Sequence, residues 1–446
     1  MAASQALTLP SLATPKAHAL SAKSMALLGL VMLTTARAAL IMSRWATLAQ
    51  QATRLELIVL VLAAAYLFVR PHPRAPASLT VALLGLIAVD AFDTLWQQLP
   101  LSVLYVGVNA YLRYFLLAFI VYALSADDAD IEAVLKLLAP VFIGLSLLTI
   151  VQFATGHGER FFLNPDLPLP IRAGIRQGVG IFDWPDGWAL FCGTWFFIYL
   201  ARRTRSSLYL VTSILLALAV GATLTRWCIA ALLALLILYL LKQRRARWRA
   251  GALVVIIAVV GVLYGGQIKS QFGADLRFYS PTGGEAPRVA YLREGVRVSF
   301  SKPLYTLTGV GYYRFGREVP YAIDDPRTNP INGNLTILSS TGHVHILSTT
   351  DSLAASLLPE FGVVGLLLLL GFFVVVLRQG TQWAKNNPAA RGYVYGMVFV
   401  LLCSLTDSSG FFASHAAVFW VAAGLILVAS RQGPRVSATS PPRQWS

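Results

Sequence analysis

The stretch TTDSLAASLLPEFGVVGLLLLL, Thr349 to Leu370, sets an acid, a proline and a glutamate directly ahead of an unbroken apolar run. Hydrocarbon has no water to satisfy backbone N–H and C=O groups, so a run of this kind has to become helix. The rest of the chain is of the same character. Of its 446 residues 57% are hydrophobic and only 13% are charged, with a mean hydropathy of +0.65. A water-soluble chain of this length could not bury that much apolar surface. Composition therefore predicts an all-α, polytopic helical membrane protein.

About 20 mostly apolar residues cross a bilayer. On that rule the chain offers about twelve spans: 25–43, 57–69, 79–95, 101–123, 131–155, 186–201, 207–225, 226–241, 250–267, 358–377, 392–409 and 414–430. The formal charge of +16 does not point to nucleic acid, because many Lys and Arg sit in short connections between these runs, as the positive-inside rule requires. Arg70–Arg74, Arg202–Arg205, Lys242–Arg249, Arg431 and Arg435 all fall on one side if both termini are cytoplasmic. One loop dissents: SADDADIE, Ser125 to Glu132, belongs on that side yet carries no Lys or Arg. Residues 1–24 read as a cytoplasmic tail without a signal-peptide pattern, and 431–446 as a second tail. Cys192, Cys228 and Cys403 lie within apolar runs and read as small core residues.

This orientation predicts two long outer loops, 155–186 between spans within a 25–266 block, and 267–359 ahead of a 360–430 block. The second loop is too long for a connector. Within it, APRVAYLREGVRVSF (286–300) puts Val289, Leu292, Val296 and Phe300 on one helical face, flanked by Arg288, Arg293 and Arg297. Either an interfacial helix dipping into the bilayer or a helix packed on the bundle fits that pattern.

The outer loops hold the residues able to do chemistry. Arg160, Arg172, Arg176, Arg226, Arg288, Arg293 and Arg297 offer permanently charged forks that match phosphate oxygens bidentately; singly, each could equally snorkel to lipid headgroups. His343, His345, Asp351 and Glu360 are candidate bases, although His343-Val-His345 also reads as an ordinary polar loop and Asp351 as a helix cap. Asp324-Asp325 is a weak divalent-ion signal; no metal and no cofactor is expected. Arg37, Asp90, Asp93, Arg113 and Lys136 fall inside spans, where charges pair within the bundle, and Asp90 or Asp93 with Arg113 is the expected pair. Trp184, Trp188, Tyr279, Tyr291, Tyr305, Tyr312, Tyr313 and Tyr321 would stack on sugars or form an interfacial belt.

Four stretches together resemble the bacterial O-antigen ligase and O-antigen and exopolysaccharide polymerase superfamily. They are RQGVGIFDWPDGWA (176–189), ATLTRWCIAALLAL (222–235), APRVAYLREGVRVSFSKPLYTLTGVGYYRFG (286–316) and TTDSLAASLLPEFGVVGLL (349–367). The resemblance implies a fold like that of the GT-C-like membrane glycosyltransferases. It implies transfer of a glycan from undecaprenyl pyrophosphate to an acceptor hydroxyl on the periplasmic face of the bacterial inner membrane. Arg176, Arg226 and Arg288 would hold the pyrophosphate, with Arg172 and Arg293 near them, and Asp351 or else His345 or His343 would serve the hydroxyl. The partners implied are the lipid-linked glycan, membrane lipid and a chain-length regulator. Ligases of the superfamily carry a histidine where Asp351 stands, so polymerase is the expected activity and ligase the alternative; a lipid-glycan flippase or transporter is the alternative of another class.

Overall fold

A computed structural model describes residues 21–40, 46–69, 76–156, 169, 171–172, 175–182, 185–243, 248, 251–252, 254–255, 292, 295–312, 315, 328–331, 334–338, 344–347, 353–405 and 417–431. The fold is predominantly α-helical. Its helices are α1 (Ala22–Leu40), α2 (Ala46–Val69), α3 (Ala77–Trp96), α4 (Leu101–Gly107), α5 (Arg113–Leu124), α6 (Asp128–Thr155), α7 (Pro185–Leu200), α8 (Ser207–Ala222), α9 (Arg226–Leu241), α10 (Pro303–Thr308), α11 (Leu353–Asn386), α12 (Ala390–Ser404) and α13 (Ala417–Arg431). A π turn, Val108–Leu112, joins α4 to α5 without a break. Short antiparallel strands decorate the loops: β1 (Ile171–Arg172) with β2 (Ile175–Arg176), and β3 (Thr328–Ile331), β4 (Asn334–Leu338) and β5 (Val344–Leu347) in order.

Among the described residues three helices are long and apolar enough to cross a membrane: Ala77–Trp96, Asp128–Thr155 and Ser356–Asn386. Shorter apolar helices include Arg113–Leu124, Ser207–Ala222, Arg226–Leu241, Ala390–Ser404 and Ala417–Ser430. Eleven of the twelve apolar runs expected from sequence are thus helical. The other, 250–267, lies almost wholly outside the described residues. Outward faces are oily, as lipid contact requires: Leu55, Ile58 and Leu62 on α2, Leu210, Ile214 and Leu218 on α8, and Leu367, Leu370 and Val374 on α11 are all exposed. The inner faces interlock through aromatic rings and small residues. Phe115, Phe372 and Trp420 pack where α5, α11 and α13 meet, and Gly424 of α13 lies flat on the Ala118 carbonyl of α5, where a Cβ would come within 2.7 Å. Such close approach is how helices gain packing contact where lipid removes the hydrophobic drive between them.

Polar contacts sort to two ends of the bundle. At one end Arg205 pairs with Asp128 and Glu132, both at 2.9 Å. Arg202, wholly buried, reaches Asp128 at 3.3 Å and donates to the Tyr393 hydroxyl at 2.7 Å. Burial works against the Arg205 cation, but its hydrogen bond and charge contact with Asp128, reinforced by Glu132, more than offset this and raise its pKa above the ordinary value. Lys23 donates to the Ser125 carbonyl at the same end. Asp128 and Glu132, at the start of α6, are thus counter-charges for the arginines between α7 and α8.

The expected pair of Asp90 or Asp93 with Arg113 is not formed. The ion partner of Arg113 is Glu56, at 3.9 Å, and Glu56 also lies 3.1 Å from Arg37. Helix α2 begins eleven residues before the apolar run that marked it, at Ala46 rather than at 57, so Glu56 stands in mid-helix facing Arg37 and Arg113. Asp90 and Asp93 accept instead from the Tyr312 N–H and the Thr308 hydroxyl.

The two polar ends of the bundle can be told apart by labelling. Thr204 is exposed at the Arg202 end and Lys302 is exposed beside α10 at the other, and the natural cysteines are all buried. A membrane-impermeant thiol reagent applied to one face should label only one of Thr204→Cys and Lys302→Cys. Labelling of both from the same face would contradict the two-ended arrangement.

Candidate functional site

The far end of the bundle holds the described parts of the four motif stretches, in two docked pairs. The first pair joins RQGVG (176–180) to the turn carrying Arg226. Gly178 N–H donates to the Ala222 carbonyl at 2.9 Å and the Gln177 side chain donates to the Thr223 carbonyl at 2.5 Å. Gln152 of α6 clamps the same segment from below: its Oε1 accepts from Val179 and Gly180 N–H, at 3.1 and 2.9 Å, while its Nε2 donates to the Gly180 carbonyl. Gly180 has φ +60° and its α-carbon faces the Trp188 ring, so a side chain there would be both strained and obstructed.

This packing carries Arg176 to the surface. Its guanidinium is exposed and one of its N–H groups donates to the Gly156 carbonyl at the C-terminal cap of α6, where a cation is favoured by the helix dipole. Arg172 lies in the paired strand, directly across the hairpin from Ile175. Arg226 is the first residue of α9, after Leu224 at φ +53° and the N-cap Thr225. Thr225 is fastened by its hydroxyl to Asp186 of α7 at 2.9 Å. A cation at a helix N-terminus runs against the dipole. Here the Asp186 carboxylate, held on Thr225, stands at the same helix start and supplies a counter-charge beside Arg226.

The second pair joins GVG (309–311) to PEFG (359–362). Val310 N–H donates to the Pro359 carbonyl at 2.8 Å. Gly309, at φ +89°, abuts the Glu360 carbonyl, and Gly362, at φ +59° and ψ −173°, abuts the Leu307 carbonyl. Gly362 is a break inside α11, where two helical segments meet at a kink. Asp90 and Asp93, spaced to share a face of α3, hold the other side of the turn: Asp90 accepts from Tyr312 N–H at 2.9 Å and Asp93 from the Thr308 hydroxyl at 2.6 Å. Buried carboxylates persist only when hydrogen-bonded. These two brace the loop from α3.

The described residues just ahead of α10 show which of their faces is covered. Leu292, Val296 and Phe300 are exposed, while Val298 and Ser299 are fully buried. The face expected to be apolar is turned outward, and the opposite face packs on the protein.

Several expected roles change. Trp188, Tyr305 and Tyr312 are buried: Trp188 stacks on Phe191, and Tyr312 on Phe361 at 4.3 Å between centroids. They are packing groups and neither sugar platforms nor a membrane belt. Glu360 is fully buried beside the kink. His345 lies in β5 opposite Ile337, so the His-Val-His stretch reaches into a sheet rather than being wholly irregular loop. Arg288, Arg293, His343 and Asp351 lie outside the described residues, as does the Asp324-Asp325 pair. Among the described residues no group of three or more His, Cys, Asp or Glu is placed to hold a metal. Sequence reasoning missed Gln152 and Glu56; a polar side chain inside an apolar helix was the available signal. No family model matches the chain and no curated protein matches it.

Proposed function

We propose that the chain is a membrane glycan polymerase of about twelve spans. It transfers an undecaprenyl-pyrophosphate-linked oligosaccharide to the hydroxyl of a second lipid-linked repeat on the periplasmic side of the inner membrane. The observation that carries this reading is the docking of RQGVG onto the turn bearing Arg226, which sets two arginine-bearing segments side by side at one end of the bundle. The outward apolar face of residues 292–300 supports it, since it would seat the neighbouring arginines at headgroup depth.

In this mechanism Arg176 and Arg226, with Arg288 from the second loop, hold the pyrophosphate. As the bond from the sugar's anomeric carbon to the phosphate oxygen breaks, negative charge grows on the leaving group and fixed guanidinium donors stabilise it. Asp351, or else His345, orients the acceptor hydroxyl and takes its proton. Lipid pyrophosphate leaves and the chain is longer by one repeat. No bound metal is part of the scheme.

Purified protein supplied with one lipid-linked repeat as sole substrate should produce a ladder of longer lipid-linked chains, undiminished by EDTA. Transfer that appears only when lipid A-core or a protein is added would make it a ligase. No transfer under any of these conditions would sink the enzymatic reading.

A further inference from the structure

The connection between α7 and α8 sends its arginines two ways. Arg202 and Arg205 turn to Asp128 and Glu132. Arg203 turns instead to the C-terminal end of α9. It donates to the Tyr239 hydroxyl at 3.1 Å, to Gln243 Oε1 at 2.8 Å and to the Leu200 carbonyl at 3.0 Å, and its guanidinium lies 5.7 Å from the centre of the Tyr239 ring. Tyr239 meets Tyr395 of α12 edge-on, with 5.3 Å between centroids. Lys242, at the C-terminal cap of α9, lies 5.7 Å over the Tyr395 ring. Arg391 stands one turn earlier on α12, and its charge acts on the same tyrosine. Three cations thus converge on two buried aromatic rings.

None of the three pairs with a carboxylate among the described residues, and the acids of this end are held elsewhere. Asp127 caps α6, Asp130 accepts from Ser21 and Ser24, and Asp128 and Glu132 hold Arg202 and Arg205. The sequence after Gln243, residues 244–250, adds Arg244, Arg245, Arg247 and Arg249 and no acid. Donors are also left over. A guanidinium has five N–H groups, and the Arg203 contacts use three. The Tyr395 hydroxyl is buried, on a residue 9% exposed, with no hydrogen-bond partner among the described residues. A buried hydroxyl left in that state costs free energy. Lys242 is exposed and Arg203 and Arg391 are half-buried, so the group opens to the surface and a ligand reaches it without a closed cavity.

Basic pockets between helices at the membrane surface are places where lipid phosphates bind. Leu238 and Leu241, on the last turn of α9 before Lys242, are 50% and 44% exposed and offer an apolar face for an acyl chain. We propose that Arg203, Lys242 and Arg391, around Tyr239 and Tyr395, bind the phosphate of an anionic membrane lipid in the leaflet at the Arg202 end of the bundle. The spare Arg203 N–H groups and the Tyr395 hydroxyl donate to its oxygens, and Lys242 and Arg391 balance its charge. This site is independent of glycan transfer.

The test follows the thermal midpoint of full-length protein in nanodiscs of a phosphate-free galactolipid made with rising fractions of phosphatidylglycerol. The midpoint should climb and level off at a low fraction. Lys242 makes no side-chain hydrogen bond among the described residues, so Lys242→Gln should fold, and it should raise the half-saturating fraction roughly fivefold. Arg203→Gln with Lys242→Gln should raise it roughly tenfold or more. Lys136→Gln, which removes an exposed cation of α6 outside the group, should leave it unchanged. Tyr395→Phe loses no bond in galactolipid alone, so its midpoint there should hold or rise, while its half-saturating fraction should rise roughly three- to tenfold. If the double variant does not fold, Lys242→Gln and Tyr395→Phe decide the matter. A wild-type midpoint indifferent to phosphatidylglycerol would overturn the proposal, as would equal half-saturating fractions for Lys242→Gln and Lys136→Gln. Inorganic phosphate added to galactolipid discs at constant ionic strength should give no comparable rise; a rise matching that of phosphatidylglycerol would overturn the assignment to a lipid.

Discussion

Arg176→Ala is expected to lower the rate of chain extension by about 10²–10³-fold while leaving the protein folded. Removing one preorganised donor to a charge that develops in the transition state costs on that order. The bland role for this residue is its hydrogen bond to the Gly156 carbonyl at the end of α6. An exposed side chain in that role contributes little; its loss should change stability by less than about 0.5 kcal/mol. Activity and thermal midpoint therefore separate the two roles. Arg176→Lys sharpens the distinction, because lysine keeps the charge and could still donate to Gly156 but has no planar fork. An intermediate rate for lysine with an unchanged midpoint is the expected pattern. Wild-type extension by the alanine variant would remove Arg176 from the pyrophosphate site.

Gly362→Ala should act through the fold and with larger effect. At φ +59° and ψ −173° the backbone occupies a region that is essentially restricted to glycine. A Cβ there would lie 2.5 Å from both the Gly309 nitrogen and the Leu307 oxygen, which are backbone atoms and cannot swing aside. Strain and steric conflict together should cost about 4 kcal/mol or more, seen as a collapse in thermal midpoint and in yield. Gly309→Ala presses on the Glu360 carbonyl across the same contact, so the double variant should lose much less than the sum of the singles. A Gly362→Ala protein with an unchanged midpoint would show that the α10–α11 contact is not held as described.

The helices were legible because apolar length is a composition-level signal that needs no knowledge of neighbours. The four motif stretches were legible as such. Which segment approaches which was not, since Gln177 and Thr223 are 46 residues apart and nothing in their spacing joins them. Glu56 escaped notice for a physical reason. Gln50, Gln51 and Arg54 hold down the local hydropathy, so the span seemed to begin just after the residue that matters most within it. Asp90 and Asp93 were visible as buried acids on one helical face, but their partners are a backbone N–H and a hydroxyl, Tyr312 and Thr308, rather than a cation. Aromatic residues flanking loops misled in the other direction. Trp188 and Tyr312 stand near polar sequence yet fold inward, because Gln152 holds Gly180 against the Trp188 ring and Asp90 holds the turn that carries Tyr312.

The central claim is that glycosidic bonds form here at the expense of a lipid pyrophosphate. It is tested most directly by counting undecaprenyl pyrophosphate released against bonds formed when the purified protein extends a single lipid-linked repeat. One pyrophosphate per bond, with both counts falling together in Arg176→Ala, is the result expected. Substrate that changes sides of a proteoliposome membrane with no bond formed and no pyrophosphate released would contradict the account and make the protein a transporter.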